Sequence, residues 1–330
     1  MKKIFALLLS AALLVTLLAA CGGGTTTDTD TDAQEPAADA STTQVEEQEP
    51  DTGDASKDDP LNQDEIGEKE LLVVSFGTSY NDSRRETIGA IEKAMQTAFP
   101  DYSVRRAFTS QIIIDHVKDR DGVTIDNVEQ ALERAVNNGV KTLVVQPTHL
   151  MNGLEYKELT DELAKYSDSF EKIAIGDPLL TSDADFEAVM TAITDATKDA
   201  ADGKTAICFM GHGTTADSNS VYSKMQTLLT DKGFNDYYVG TVEATPSLDD
   251  VLAAVQKGSY EKVVLRPLMI VAGDHANNDM AGDEDDSWKS AFEKAGYTVD
   301  CQVEGLGQLE AIQQLFVEHA KAAVSSAEAE

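Results

Sequence analysis

Cysteine is scarce in this chain: Cys21, Cys208 and Cys301 are the only three in 330 residues, and no two form a Cys-x-x-Cys pair. That pattern leaves no basis for a thiolate zinc or iron–sulfur site. Cys208 and Cys301 lie in separate apolar, strand-like runs, so a disulfide framework is not expected either. Basic residues are also few, 26 Lys and Arg against 59 Asp and Glu, for a formal net charge of -33. A chain so acidic lacks the footprint for nucleic acid or anionic lipid, because phosphate binding needs clustered positive charge. It suits a divalent cation, although most of the charge reads as ordinary solubilising surface. The glycine patterns that cradle phosphates are missing as well: no Gly-x-x-x-x-Gly-Lys-Ser/Thr occurs, and neither FGTSY nor MGHGTT completes a Gly-x-Gly-x-x-Gly fingerprint. Nucleotide-driven chemistry is therefore not expected. No Gly-x-Ser-x-Gly elbow follows a strand, which argues against a serine hydrolase despite Ser75 and Ser79 nearby.

One segment reads as an address. Residues 1–21, MKKIFALLLSAALLVTLLAAC, place Lys2 and Lys3 before a short apolar core, the layout of an export signal. Its end, Leu18-Ala19-Ala20-Cys21, resembles the bacterial lipoprotein box. Cys21 is thus expected to be the lipidated first residue of a chain anchored to the outer face of a bacterial membrane. The following stretch to residue 69 is rich in Gly, Thr, Asp, Glu and Pro and almost empty of large apolar side chains. It is expected to be a disordered acidic tether without chemistry of its own.

The remaining residues, about 260 by this division, alternate apolar runs with amphipathic ones, which implies α/β architecture with largely parallel sheets flanked by helices. Strands are expected at 70–76, 103–107, 142–146, 172–175, 205–210, 237–241, 262–269 and 298–302. Helices are expected at 82–99, 126–138, 155–167, 183–200, 218–232, 247–257, 286–295 and 309–325. The halves echo each other: LLVVSFGTSY answers TAICFMGHGT, and TLVVQPTHLMNG answers VVLRPLMIVAGDHANND. Two similar lobes, 70–202 and 203–330, should therefore face a common cleft, with Gly77–Ser79 opposite Gly211–Gly213.

Histidine supplies the candidate site. Of five, His212, His275 and His149 follow apolar strand-like runs, where open α/β sheets collect ligands. His212 sits between two glycines that allow close backbone approach. His275 opens an oxygen-rich loop running to Asp286, and Glu243 ends another strand. Two histidines and a glutamate make a plausible three-ligand set for a borderline divalent ion with open positions. The residues alone leave His212 equally readable as a loop residue and Glu243 as a solvated carboxylate. His116 and His319 read as structural.

The strings LLVVSFGTSY, QPTHLMNGLEY, FMGHGT, GTVEATPS and RPLMIVAGDHANNDMAGDEDDSWK resemble the anaerobic cobalt chelatases that insert cobalt into sirohydrochlorin. The resemblance spans residues 70 to about 322. It implies a class II chelatase fold needing no nucleotide, a tetrapyrrole substrate, and Co2+ as the metal, with Fe2+ or Ni2+ compatible with the same donors. It also implies that His212, Glu243 and His275 hold the metal, with His212 and His275 catalytic and His212 the principal proton acceptor. Ser79, Tyr80, His149 and Arg266 are expected to contact substrate, and Arg84 and Arg85 either to face tetrapyrrole carboxylates or to lie on a helix surface. An exported location sits apart from cytoplasmic cobalamin assembly, so a metal- or haem-binding lipoprotein without turnover is the alternative. No heptad seam names a protein partner, and a homo-oligomer is compatible with the sequence.

Overall fold

The structure is a computed structural model that describes residues 52–329. The export signal, Cys21 and tether residues 22–51 lie outside the described residues. Eight strands form two four-stranded, all-parallel sheets. The first contains β1 (Lys69–Ser75), β2 (Ser103–Phe108), β3 (Thr142–Pro147) and β4 (Lys172–Ile175), in the order β2-β1-β3-β4. The second contains β5 (Thr205–Gly211), β6 (Tyr237–Thr241), β7 (Lys262–Pro267) and β8 (Thr298–Cys301), in the order β6-β5-β7-β8. The repeat seen in the sequence is therefore a repeat of topology. In each sheet the first strand lies inside and the chain turns opposite ways from it, so a crevice opens at the carboxyl ends of β1 and β3 and again at those of β5 and β7.

The helices are α1 (Asn81–Glu86), α2 (Ile88–Ala98), α3 (Gln111–Asp121), α4 (Val128–Asn137), α5 (Leu154–Ala164), α6 (Asp183–Thr197), α7 (Ser220–Asp231), α8 (Leu248–Val255), α9 (Trp288–Lys294) and α10 (Glu310–Ala329). Side-chain caps set several starts: Asn127, Ser182 and Ser247 each close a capping box. The expected helix 82–99 is interrupted at Thr87, whose hydroxyl donates to the Ser83 carbonyl at 2.5 Å and competes with the helical ladder. The sequence reading missed α3. Its three consecutive isoleucines obscure the helical period, and Ile112 is left 82% exposed while Ile114 and Val117 are buried.

Residue 202 separates the sheets but not the helices. The last helix, α10, follows β8 yet packs on β3, β4 and α2 of the first sheet. Conversely α6, which follows β4, packs beside α7, and Thr197 places its hydroxyl 3.1 Å from that of Tyr237 on β6. The two exchanged helices also meet each other through His319 Nε2 and the Asp185 carboxylate, 3.1 Å apart. One apolar core consequently runs through both halves, from Leu71, Val73 and Ile91 to Ile207, Phe209 and Phe316.

The tether boundary needs correction. Residues 52–68 belong to the fold: Leu61 is in the core, and its carbonyl accepts from the Arg106 amide at 3.1 Å along the outer side of edge strand β2. Asp58 is buried between Arg84 and Arg106. Successive strand side chains face opposite ways, and the neighbours Arg105 and Arg106 use this. Arg105 meets Glu70 at 3.2 Å and Asp126 at 3.1 Å, while Arg106 meets Glu92 and Asp58, each at 2.7 Å. Such buried charges specify register, since any shift of β2 would leave a cation in the core without its carboxylates.

Because the core is shared, both halves should unfold together. Phe316→Ala, truncating a fully buried ring on the exchanged helix, is expected to cost about 3–5 kcal/mol and keep one cooperative urea transition. Two separated transitions would show that the exchange does not couple the lobes.

Candidate metal centre

The glycines around His212 are dictated by space. A Cβ at Gly211 would lie 2.1 Å from the Tyr222 ring, and Gly213 adopts φ +90 with Ala244 and Thr241 packed against it. Where β5 and β6 end, two further backbone bonds join the chains: the Val242 amide donates to the Gly211 carbonyl at 3.0 Å and the Glu243 amide to the His212 carbonyl at 2.9 Å. Backbone pairing thus fixes Glu243 beside His212, with Oε2 3.9 Å from Nδ1.

His275 arrives from the long connection after β7. The amides of Leu306 and Gly307 hold the carbonyls of Met269 and Ile270, and the Ala272 amide donates to Ser83 Oγ of α1 at 3.0 Å. A single π-helical turn, Ala276–Met280, follows, and it brings Asp279 back to His275. The two imidazole centroids are 4.6 Å apart with planes at 84°. One ligand atom each from His212, Glu243 and His275 can be chosen so that all lie within 4.8 Å of one another. Among the described residues this is the one such group of three or more.

Hydrogen bonds define which nitrogens are available. His212 Nδ1 lies 2.7 Å from the Gly213 carbonyl, an acceptor only, so Nδ1 carries the hydrogen and Nε2 the lone pair. His275 Nδ1 lies 2.7 Å from the Asp279 carboxylate, with the same consequence. An acceptor behind each ring is the arrangement that orients metal-binding imidazoles and raises their basicity as ligands.

His212 and His275 look into a cleft of about 360 Å³ between the sheets, within the usual size range for small-molecule sites. The opposite wall comes from the first sheet: Phe76 to Ser79 after β1, Thr148 and His149 after β3, and Met151, Leu154 and Glu155 around the start of α5. The expected facing of residues 77–79 and 211–213 is thus observed. Phe76 and Leu154 are more than half exposed at this wall and give it an apolar lip.

Other expected contacts are placed differently. Ser79 and His149 line the cleft; Tyr80 does not, its side chain lying against Asn278 and Asp274. Arg266 is buried away from the cleft, held by Gln302 at 3.2 Å and Glu304 at 2.8 Å, because strand alternation turns it from the mouth. Arg84 is buried on Asp58, and Arg85 pairs with Asp82 and Glu86 at the surface. No lysine or arginine among the described residues lines the cleft. The acidic loop after Asp279 is partly neutralised, since Asp283 binds Lys289 and Asp285 binds Lys294. Glu155 was not singled out from the sequence as a cleft residue; its place within QPTHLMNGLEY, six residues after His149, is the signal that pointed there.

His149 is unusual in that neither ring nitrogen has a hydrogen-bond partner although the side chain is buried. Burial pushes its pKa down to about 4, with the Glu155 charge acting weakly the other way. It is therefore a neutral imidazole in the cleft wall with donor and acceptor both unspent.

The fold and site define a two-lobed α/β chelatase. Residues 69–325 match the cobalt chelatase family CbiK. The sirohydrochlorin cobaltochelatase of Salmonella typhimurium is 37% identical over 259 residues, 78% of this chain and 97% of that one. The sirohydrochlorin cobaltochelatase CbiKC of Nitratidesulfovibrio vulgaris is 30% identical over 260 residues, covering 78% and 91%. SirB from Bacillus subtilis, solved with Fe3+, shares the fold with a TM-score of 0.57 at 14% identity, over 80% of this chain and 98% of that one. The chain belongs to the CbiK family of cobalt chelatases.

The low pKa of His149 has a sign that can be tested. An unfolded histidine takes its proton near pH 6.5, which the folded imidazole refuses until about 4, so the folded state is favoured in full above pH 6.5 and loses that advantage progressively from there until the pH has fallen through 4. Urea titrations should show wild type losing about 2–3 kcal/mol more than His149→Gln between pH 7 and pH 4.5. Parallel losses would mean that His149 is solvated in the folded protein.

Proposed function

We propose that this protein inserts Co2+ into sirohydrochlorin without a nucleotide, with His212, Glu243 and His275 holding the incoming ion. The observation that carries the reading is the convergence of those three side chains within 4.8 Å, two of them facing a cleft large enough for an organic ligand. Insertion exchanges two pyrrole N–H protons for one divalent cation, while the cation gives up its previous ligands. Donors must therefore be exchangeable, and at least one must accept a proton afterwards. Histidine does both with the same lone pair.

The Nε2 lone pair of His212 first binds the ion. When the ion passes to the macrocycle, that lone pair is freed where a pyrrole nitrogen must lose its proton, and His212 takes it; the second pyrrole proton goes to the Nε2 of His275, freed in the same transfer. His275 is the second ligand, held in orientation by Asp279, and Glu243 supplies the negative charge that offsets the ion. The apolar lip of Phe76 and Leu154 suits the face of the macrocycle. His149 and Ser79 offer hydrogen bonds to its edge, and with no cation lining the cleft the substrate's carboxylates are met by hydroxyls, backbone amides and water. Fe2+ fits the same donor set. We place the reaction outside the cytoplasm, the chain being held to a membrane through lipid on Cys21. That reading rests on the lipoprotein-type N-terminus alone.

Anaerobic absorbance measurements with sirohydrochlorin and Co2+, then Fe2+, test the reading. Multiple turnovers should appear with wild type and vanish in His212→Ala and His275→Ala, and Asp279→Asn should lose about 10- to 100-fold through misorientation of His275. Tight tetrapyrrole or metal binding with no turnover would replace the enzyme by a carrier.

A further inference from the structure

The family match begins at residue 69, so the ordered segment 52–68 lies outside it. This segment nonetheless makes specific contacts along one side of the first sheet. At its start, the Thr52 carbonyl accepts from the Asp82 amide at 2.9 Å and the Gly53 carbonyl from Asn81 Nδ2 at 3.1 Å, both at the beginning of α1. Gly53 has φ +92, and a Cβ there would overlap the Asp82 carboxylate. In the middle, Asp58 accepts from Arg84 Nε at 2.6 Å and from Arg106 Nη1 and Nη2 at 2.7 and 3.0 Å. Further on, Leu61 and Gln63 cover the outer edge of β2, where the Val104 carbonyl accepts from Gln63 Nε2 at 3.3 Å.

The helix so gripped connects to the metal centre. Arg84 Nη1 donates to the carbonyl of Thr78, a cleft residue, at 3.1 Å. One residue earlier, Ser83 Oγ accepts from the Ala272 amide at 3.0 Å, in the connection that delivers His275 three residues later. α1 thus has the segment on one side and the His275 connection on another. A short helix of six residues has little stability of its own, so its position depends on these lateral contacts.

We propose that residues 52–68 form a clasp that positions the cleft loop 76–80 and the His275 connection through α1, with Asp58 as its anchor. Asp58 is a positioning residue, since it touches neither cleft nor ligand cluster. The pathway is contiguous: Asp58 to Arg84, Arg84 to Thr78, and along α1 through Ser83 to Ala272. Losing the Asp58 charge leaves two buried guanidinium groups short of a carboxylate, and the relief available to Arg84 is to turn and release Thr78. The proposal rests on the reading of His275 as a ligand.

The test uses the full chain, measuring Co2+ affinity and steady-state insertion for Asp58→Asn, Ser83→Ala and His275→Ala, each at a temperature where circular dichroism shows complete folding. Asp58→Asn should weaken Co2+ binding and lower kcat/KM by about tenfold, as expected for displaced site groups, and Ser83→Ala should shift both in the same direction without touching the Asp58 cluster. Asp58→Glu, which restores the charge, should recover part of the loss. If folded Asp58→Asn and Ser83→Ala both stay within about twofold of wild type while His275→Ala loses metal, the clasp is only structural and the proposal fails. If His275→Ala keeps its Co2+ affinity, the ligand reading fails and takes the proposal with it. Should Asp58→Asn not fold, Gly53→Ala and Ser83→Ala decide by the same twofold limit, because the first disturbs the start of the clasp against Asp82 and the second the contact of α1 with Ala272, and both leave the buried cluster intact.

Discussion

The hydrogen bond from the Glu243 amide to the His212 carbonyl is the contact on which the candidate metal centre depends. It lies just past the last paired residues of β5 and β6, Gly211 and Thr241, and so converts strand register into the spacing of the two side chains. The register of β5 with β6 is set by close packing, because β5 is buried along its whole length and a one-residue shift would exchange the side chains packed on its two faces. The distance between imidazole and carboxylate is thus fixed by the same pairings that build the core. Glycine at 211 and 213 makes this compatible with a bulky neighbour, since Tyr222 packs into the space a side chain at 211 would occupy and its hydroxyl accepts from the Gly213 amide at 3.3 Å.

The two histidines are set differently, and this bears on their roles. His212 is locked by its own strand end, whereas His275 comes from a long connection whose course is fixed by contacts from both halves: Met269 and Ile270 against Leu306 and Gly307, and Ala272 against Ser83. One candidate ligand is thus held by the sheet and the other by a connection that both halves fix. Release of an ion to a macrocycle requires some ligand to yield. On the proposed reading His212 yields through its Nε2, and Asp279 keeps His275 in orientation as its own Nε2 is freed.

The β-strands, most helices and the residues that converge at the candidate metal centre, His212, Glu243 and His275, were legible in the sequence, for identifiable reasons. Buried parallel strands are near-continuous apolar runs, and the glycine–histidine–glycine string and the strand-ending Glu243 stand out against them. Residues whose role depends on a distant partner were not visible. Arg266 reads as a substrate contact, and Arg84 as either that or a helix-surface residue, because an arginine beside a cleft motif suggests an anion, yet each is consumed by a carboxylate elsewhere in the sequence, Glu304 and Asp58. The segment 52–68 reads as tether because composition averages over its polar residues, while its attachment rests on single points such as Asp58, Leu61 and Gly53. The exchange of α6 and α10 has no local signature, since a helix carries the same apolar stripe whichever sheet it covers.

That exchange also decides how the cleft can work. In a two-lobed protein whose lobes have separate cores, closing around a ligand is a hinge motion with little internal cost. Here the core is continuous across α6 and α10, and His319 ties them through Asp185 and the Asp177 carbonyl. Rotating one lobe against the other would open packed apolar surface on both sheets, at roughly 25 cal/mol for each Å² exposed. The cleft walls are therefore fixed relative to one another, and substrate entry falls to the elements at the mouth: the 76–80 loop, the start of α5 and the His275 connection. On the proposed function, discrimination between macrocycles comes from the shape of this preformed slot, in whose wall His149 keeps both ring nitrogens without hydrogen-bond partners.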